Sequence, residues 1–338
     1  MLNNIEQWSI TMADENSKIQ LSKKAAQVEV NCGLPKFDVN RIVTGFEALA
    51  DEPPERINWA ESVLGIPQVW QLTQGKGVKV AILDTGIDPD HQDFGGAIVA
   101  MQDFTGDGVE DKNGHGTHCA GVVAARLYGV GFVGVAPLAE LMIGKVLDNN
   151  GSGAFSQIAE GVYWATDNGA DIISMSLGGP VSDPLLYDAI QYALFYGVVV
   201  ICAAGNDGSL GVNPIGYPGK LGGVITVASH DNNGNPSGFS SRGGELDFMA
   251  PGSDIWSTYK EGGYATLSGT SMATPFVAGL AALILAHHKG PGVNGTPINN
   301  TEDMKNHLMS MAAHPGHHDN QSGYGPLLPR RYFAQSHR

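Results

Sequence analysis

Five short runs decide most of what this chain can become. "GVKVAILDTG" (77–86), "AELMIGKVL" (139–147), "ADIISMSLGG" (170–179), "GVVVICAAGN" (197–206) and "GGVITVAS" (222–229) are nearly all apolar and rich in β-branched residues. Each closes on, or runs straight into, Gly, Asp, Asn or Ser. A strand with one wet face alternates polar and apolar residues, so runs apolar on both faces describe strands covered on both sides, as in buried parallel sheets. Between them lie the helical stretches "HGTHCAGVVAARL", "FSQIAEGVYWATDNG" and "PLLYDAIQYALFYG". The last two show apolar spacing near 3.6 and stop at Gly. Strand alternating with helix predicts an α/β fold with a doubly wound, mostly parallel sheet flanked by helices on both faces. Its ligand site is expected beyond the carboxyl ends of the strands.

The 338 residues suffice for one large domain with a sizeable core. Residues 1–55 are polar and mixed and end in "ADEPPER", which reads as an extension or pro-segment ahead of a main domain at 56–330. The stretch from about 288, rich in His, Asn, Gly and Pro, is expected to be loop-like, with 331–338 a surface tail. With 34 acidic against 19 basic residues the formal charge is −15. No basic stripe is present to neutralise phosphates, which argues against a nucleic-acid partner. Cys32, Cys119 and Cys202 are an odd set without metal-ligand spacing and suit a reducing compartment. The opening "MLNNIEQWSITMADENSKIQ" has no basic-then-apolar signal pattern. No run is read as reaching the ~18 apolar residues of a membrane helix. The expectation is a cytoplasmic protein with no membrane partner, export by another route being the alternative; the oligomeric state stays open.

Acyl transfer needs a nucleophile, a base, an acid that orients the base, and donors for the oxyanion. Four places offer those groups. Asp84 closes the first apolar run, where an Asp is most often a turn or cap. His115 lies between glycines in "NGHGTHCAG" with His118 one turn on; an i, i+3 pair lacking a third ligand is a weak zinc signal. Asn206 follows the strand "VVVICAAGN", where an ordinary Asx turn is the plain alternative. Ser271 sits in "SGTSMATP" just before "FVAGLAALILA". Ser, Thr and early Pro are also what any helix start prefers, and Thr274-Pro275 is expected to begin that helix.

Together, "DTGID", "HGTH", "AAGN" and "GTSMATP" resemble the subtilisin-like serine proteases. The Asp, His, Ser order is recognised as that family's order, and spacing alone would not supply it. The likeness runs from about 56 to 330 and includes "GVAP" (134–137), "GYPGK" (216–220) and "GYG" (323–325). In character it is nearest to the intracellular subtilisins, with "HGTHCAG" and "GTSMATP" similar to the proteinase K branch. The resemblance implies a serine endopeptidase with Asp84, His115 and Ser271 as its catalytic residues. The Asn206 side chain and the Ser271 N–H would form the oxyanion hole, and His118 would be structural. Substrate would lie as an added strand between Ser176, Leu177, Gly178 and a second edge at Gly151, Ser152, Gly153. Ala203, Ala204 and Gly205 would wall the S1 pocket over Gly216, which favours large apolar or aromatic P1 residues, with Asp207 at the rim. Phe155 would be a lid-like aromatic over S4.

The same resemblance implies structural calcium. One site would use Asp93, but Tyr128 stands where the family has a liganding amide. A second would use Glu245 and Asp247 with the carbonyls of Gly219, Leu221 and Val224, and a monovalent cation is the alternative there. Cys119, four residues after His115, would lie beneath it, and Phe276 replaces a usual His after the Pro. Residues 1–55 are expected to inhibit until clipped near 50–58, although no known blocking motif is visible. Two other readings are a catalytically silent peptide-binding scaffold and an α/β-hydrolase esterase. The esterase would need Asp303 and His314 to serve Ser271, and it leaves Asp84 and His115 unexplained. Asn294, Asn299 and Asn320 head N-x-S/T triplets, which matter only in a secretory pathway.

Overall fold

The computed structural model describes residues 56–208, 214–290 and 297–334, together with the backbone of 37–38 and 46–49. Most of the expected extension, the triplet at Asn294 and the last four residues lie outside the described residues. Two short strands come first, β1 (Phe37–Asp38) and β2 (Phe46–Leu49). Helix α1 (Trp59–Leu64) is capped by Asn58, whose side chain accepts the N–H groups of Ala60 and Glu61. It stops at Gly65, whose φ of 72° suits a residue without Cβ. Helix α2 (Ile66–Val69) follows with Pro67 in its first turn.

The main body alternates as expected: β3 (Lys79–Asp84), β4 (Ile98–Asp103), α3 (His115–Ala124), β5 (Glu140–Lys145), β6 (Ser152–Gly153), α4 (Phe155–Asp167), β7 (Ile172–Met175), α5 (Pro184–Phe195), β8 (Val199–Ala203), β9 (Ile225–His230) and β10 (Phe248–Pro251). A hairpin of β11 (Ile255–Thr258) and β12 (Tyr264–Leu267) leads into the long α6 (Thr270–Lys289). Then come α7 (Thr301–Met311) and α8 (Pro329–Phe333).

The central sheet has seven strands in the order β10-β9-β8-β7-β3-β5-β4, every pair parallel. The five apolar runs supply β3, β5, β7, β8 and β9. One face packs on α3 and α6, the other on α4 and α5, giving two hydrophobic cores. The chain builds outward from β3 in both directions, toward β5 and β4 and toward β7 and β8. That reversal opens a crevice at the carboxyl ends of β3, β5 and β7, and Asp84 is the last residue of β3. Two further pairings involve the early strands. β2 extends the hairpin by pairing antiparallel with β12, and β1 pairs antiparallel with β6.

Three expectations are corrected. Helix α6 begins at Thr270, not Thr274, so Ser271 lies inside its first turn and Pro275 inside the helix. By length and composition α6 could cross a membrane, against the reading that no run comes close; here 89% of its apolar window is buried, and it is the core helix. The segment expected to be loop-like contains α7, started by an Asn300 cap on Asp303 N–H, and α8, whose Phe333 is buried in the core. Clustered polar letters hid the α7 repeat Met304, Leu308, Met311, which buries one face.

Candidate active site

Asp84 is carried to the crevice by β3 and is 1% exposed. Its Oδ1 accepts the Thr85 N–H at 2.7 Å and stands 2.7 Å from His115 Nδ1. His115 is the first residue of α3 and is equally buried. With Nδ1 turned to the carboxylate, Nε2 is the free nitrogen, and it has no hydrogen-bond partner among the described residues. Burial works against the imidazolium, but the Asp84 carboxylate outweighs it and holds His115 well above the ordinary imidazole range.

Ser271 is presented by α6, and its hydroxyl donates to Ser176 O at 3.2 Å. It makes no hydrogen bond to His115 in this state, which is common in catalytic sites without substrate. The Ser271 carbonyl is where the sequence is most exact. Pro275, four residues on, has no N–H to give it, so the helical bond is missing. Ser176 Oγ donates to that carbonyl at 2.8 Å and Cys119 Sγ at 3.4 Å. Cys119 Sγ is also 3.9 Å from His115 Nδ1, and burial pushes its thiol up. One proline thereby frees the carbonyl that ties the nucleophile's turn to β7 and α3.

Asn206 is oriented by its neighbours. Its Oδ1 accepts both the N–H and the hydroxyl of Thr270, at 3.0 and 3.1 Å. This turns Nδ2 the other way, where it is buried and bonds to no described residue. A buried donor without an acceptor is costly unless something fills the place, and a developing oxyanion is such an acceptor. His118 Nε2 lies 3.0 Å from Ile255 O and 3.2 Å from Ala265 O, pinning α3 to the hairpin. Burial pushes it down to about 3, so it stays neutral.

The expected substrate residues fall into two edges and a cluster after β8. Ser176 and Leu177 are buried just after β7, and Gly178 is half-buried. Gly151, at φ 79°, turns the chain into β6, which carries Ser152 and Gly153. That second edge is already paired: Phe37 of β1 faces Gly153 and Asp38 faces Ser152. Ala203 ends β8, with Ala204 and Gly205 after it. Gly216 donates its N–H to Ala204 O, and a Cβ there would come within 3.2 Å of Gly179 O, tighter than an ordinary contact. Asp207 is half-buried beside it, its N–H on Ser241 Oγ. Phe155 is 6% exposed and lies in the same apolar cluster as Leu147, Ile158 and Leu177, so it is a packed wall and not an open lid.

At the two places expected to hold calcium, groups of the protein already meet several of the expected donors. Asp93 is buried with Oδ2 on the Phe132 N–H at 2.8 Å, and its backbone carbonyl takes the Arg126 N–H. The Tyr128 hydroxyl donates to Gly95 O, and the buried Arg126 guanidinium donates to Pro137, Ala139 and Gly96 carbonyls. At the second place, Asp247 pairs with Lys305 and accepts the Thr226 N–H, while Gly219 O takes the Thr226 hydroxyl. Glu245 is exposed, and Leu221 and Val224 add only their carbonyls. Calcium asks for six or more oxygens around one point, and an ammonium already neutralises Asp247. Among the described residues, the side-chain grouping near enough to share an ion is Asp84, His115 and Cys119.

Several residues at the site were not singled out from the sequence: Thr85, Asp111, Thr117 and Lys145. Asp111 was the most findable, because an Asp shortly before a helix with Thr in its first turn is a capping pattern.

Comparison with known proteins accords with this arrangement. Residues 75–325 match the family model described as the subtilase family. The chain is 49% identical over 226 residues to an intracellular serine protease of Paenibacillus polymyxa, covering 64% of this chain and 69% of the relative. It is 45% identical over 240 residues to thermitase of Thermoactinomyces vulgaris (70% and 85%). Subtilisin DY of Bacillus licheniformis is 46% identical over 248 residues (72% and 86%).

Proposed function

The chain belongs to the subtilase family and is a serine endopeptidase, and we propose that it cleaves proteins through an acyl-enzyme on Ser271. As the Ser271 oxygen bonds to the scissile carbonyl carbon, its proton passes to His115 Nε2. Asp84 holds the imidazole tautomer and stabilises the imidazolium. The carbonyl oxygen becomes an oxyanion received by Asn206 Nδ2 and the Ser271 N–H, near the positive end of α6. His115 then gives its proton to the leaving amine, and water repeats the steps on the ester. The observation that carries this reading is the pair of buried, unpartnered atoms, His115 Nε2 and Asn206 Nδ2, each fixed from its far side by a hydrogen bond. Nε2 is poised for the Ser271 proton, and Nδ2 for an oxyanion that only a substrate brings.

Substrate would add as a strand between Ser176–Gly178 and Gly151–Gly153. A pocket bounded by Ala203, Ala204, Gly205 and Gly216 suits large apolar or aromatic P1 side chains. Ser271→Ala should lose sulfonyl fluoride labelling and peptide cleavage together; casein hydrolysis that persists in that variant would overturn the assignment.

Residues 1–55 act as an inhibitory pro-segment in this reading. It is supported by β1, which occupies the β6 edge in the antiparallel sense a substrate strand would use. A chain starting at Ile57 should then show a higher initial peptidase rate than the intact chain, and equal rates would sink the idea. An intracellular setting is supported by the relative that is named an intracellular serine protease. Fractionation of producing cells tests it, and activity confined to the medium would refute it.

A further inference from the structure

Lys145 is the last residue of β5, in register with Asp84 at the end of β3. Among the described residues it is the lysine that the fold buries completely. An ammonium taken out of water needs partners, and its partners are informative. Nζ donates to Thr85 O at 2.5 Å and to Asn149 Oδ1 at 3.1 Å. Thr85 is the residue whose N–H holds Asp84 Oδ1. Asn149 adjoins the loop that turns through Gly151 into the β6 substrate edge, and its carbonyl accepts Asn113 Nδ2 at 3.4 Å. One ammonium therefore ties the acid's peptide to the substrate edge.

Asp111 does the matching work on the other side. It is 2% exposed. Its Oδ1 accepts the Thr85 hydroxyl at 2.9 Å and the N–H groups of Asn113 and Gly114 at 3.0 and 2.8 Å. Its Oδ2 accepts the N–H and the hydroxyl of Thr117 at 2.8 and 2.7 Å. The N-cap of α3, Gly114, has no side chain with which to cap, so Asp111 supplies the anion at that helix end. The Thr85 hydroxyl in turn accepts the Gly116 N–H at 2.9 Å. Lys145 and Asp111 thus grip Thr85 from its carbonyl and its hydroxyl. His115 sits in the turn they fix.

We infer that Lys145 and Asp111 are positioning residues for this endopeptidase, a buried pair of opposite charges that clamps Thr85 and so holds Asp84, His115 and the 148–153 edge in one working geometry. The inference rests on the reading given under Proposed function. The pair also sets the local field. The carboxylates of Asp111, Asp107, Asp103 and Asp84 face Lys145, and Asp84, Cys119 and His118 face His115. Removing the ammonium leaves those carboxylates uncompensated and favours the imidazolium. Removing the Asp111 charge does the reverse.

The test compares kcat/KM against pH for the mature wild type, K145M, K145R and D111N on one chromogenic peptide. Working sites are counted by sulfonyl fluoride titration, and Tm is recorded beside each. The acid limb of K145M should move to higher pH and that of D111N to lower pH, each by about half a unit or more. K145M should also lose roughly tenfold or more in kcat with a smaller change in KM, while K145R restores the wild-type limb. Limbs that stay in place, or move in the same direction, overturn the inference whatever happens to Tm. If K145M does not fold, the downward shift in D111N and the unmoved limb of K145R still decide it. A wild type that labels but never cleaves would instead overturn the endopeptidase reading.

Discussion

Glu61 offers a sharp test of how this fold depends on pH. It lies in the first turn of α1 and is fully buried, and neither carboxyl oxygen makes a hydrogen bond of ordinary geometry to a described residue. Burial pushes it up to about 8 from an ordinary 4.5, with its own N–H and the groups of Asn58 near enough only to soften the shift. A carboxyl whose folded value is raised binds its proton more tightly in the native state. Its contribution to stability is complete below the unfolded value and is lost as pH rises toward the folded one. At about 1.36 kcal/mol per pH unit, the loss between pH 4.5 and about pH 8 comes to about 5 kcal/mol. A domain holds roughly 5–15 kcal/mol in total, so a loss of this size would be plain in an unfolding curve. Glu61→Gln keeps the shape and removes the titration. In a Ser271→Ala background, which prevents autolysis, urea unfolding at a series of pH values gives the difference curve between the two chains. That curve should be flat below about pH 4.5 and then rise in favour of Gln by more than 1 kcal/mol per pH unit up to about pH 8. A difference that does not vary with pH would show that Glu61 is ionised or hydrated in the native state and would refute the reasoning.

Other expectations follow from single contacts. Asn206→Leu removes the unpartnered Nδ2 donor and should lower kcat by roughly 10²–10³ with little change in KM, the size known for the equivalent donor in subtilisin, a member of this family. A KM effect alone would mean that the amide binds substrate and not the oxyanion. Pro275→Ala returns an N–H to the Ser271 carbonyl in competition with Ser176 and Cys119, so kcat should fall about tenfold while Tm holds or rises. Unchanged kcat would detach that carbonyl from catalysis. Chelation should leave Tm within about 1 °C of its starting value if the Lys305 ammonium alone balances the Asp247 carboxylate. A drop of several degrees that calcium restores would reinstate the cation sites.

The sequence-level reading succeeded where one physical rule acted alone. Buried parallel strands must be apolar on both faces, so β3, β5, β7, β8 and β9 were visible as runs. β4 was not, because it lies at the sheet edge and is only half-buried, with Val99 and Met101 turned outward. The helix start at Thr270 was misplaced because Pro275 was read as a first-turn proline. It is instead a proline whose missing hydrogen bond is put to use by Ser176 and Cys119, neither of them a sequence neighbour. The expected calcium sites were read from letters alone, without the protein groups that approach them. Asp247 had been seen without Lys305, which approaches from α7, a helix the polar composition had concealed. Tyr128 had been seen as a lost amide, without the Arg126 guanidinium that fills the neighbouring carbonyls.

The same distinction explains what was legible in the site. Asp84, His115, Asn206 and Ser271 each sit at the end of a regular element, and a strand or helix end can be read from local letters. The groups that orient them come from elsewhere in the chain. Asn206 is aimed by Thr270 across 64 residues, Ser271 O is held by Ser176 across 95, and Thr85 is gripped by Lys145 across 60. No spacing rule links such positions, because their separation depends on which strands the sheet places side by side. A nucleophile and a base can therefore be nominated from sequence, whereas the angle at which each is held belongs to the fold. The catalytic power assigned here to Asn206, and the pH limb assigned to Lys145 and Asp111, both rest on that angle and not on residue identity alone.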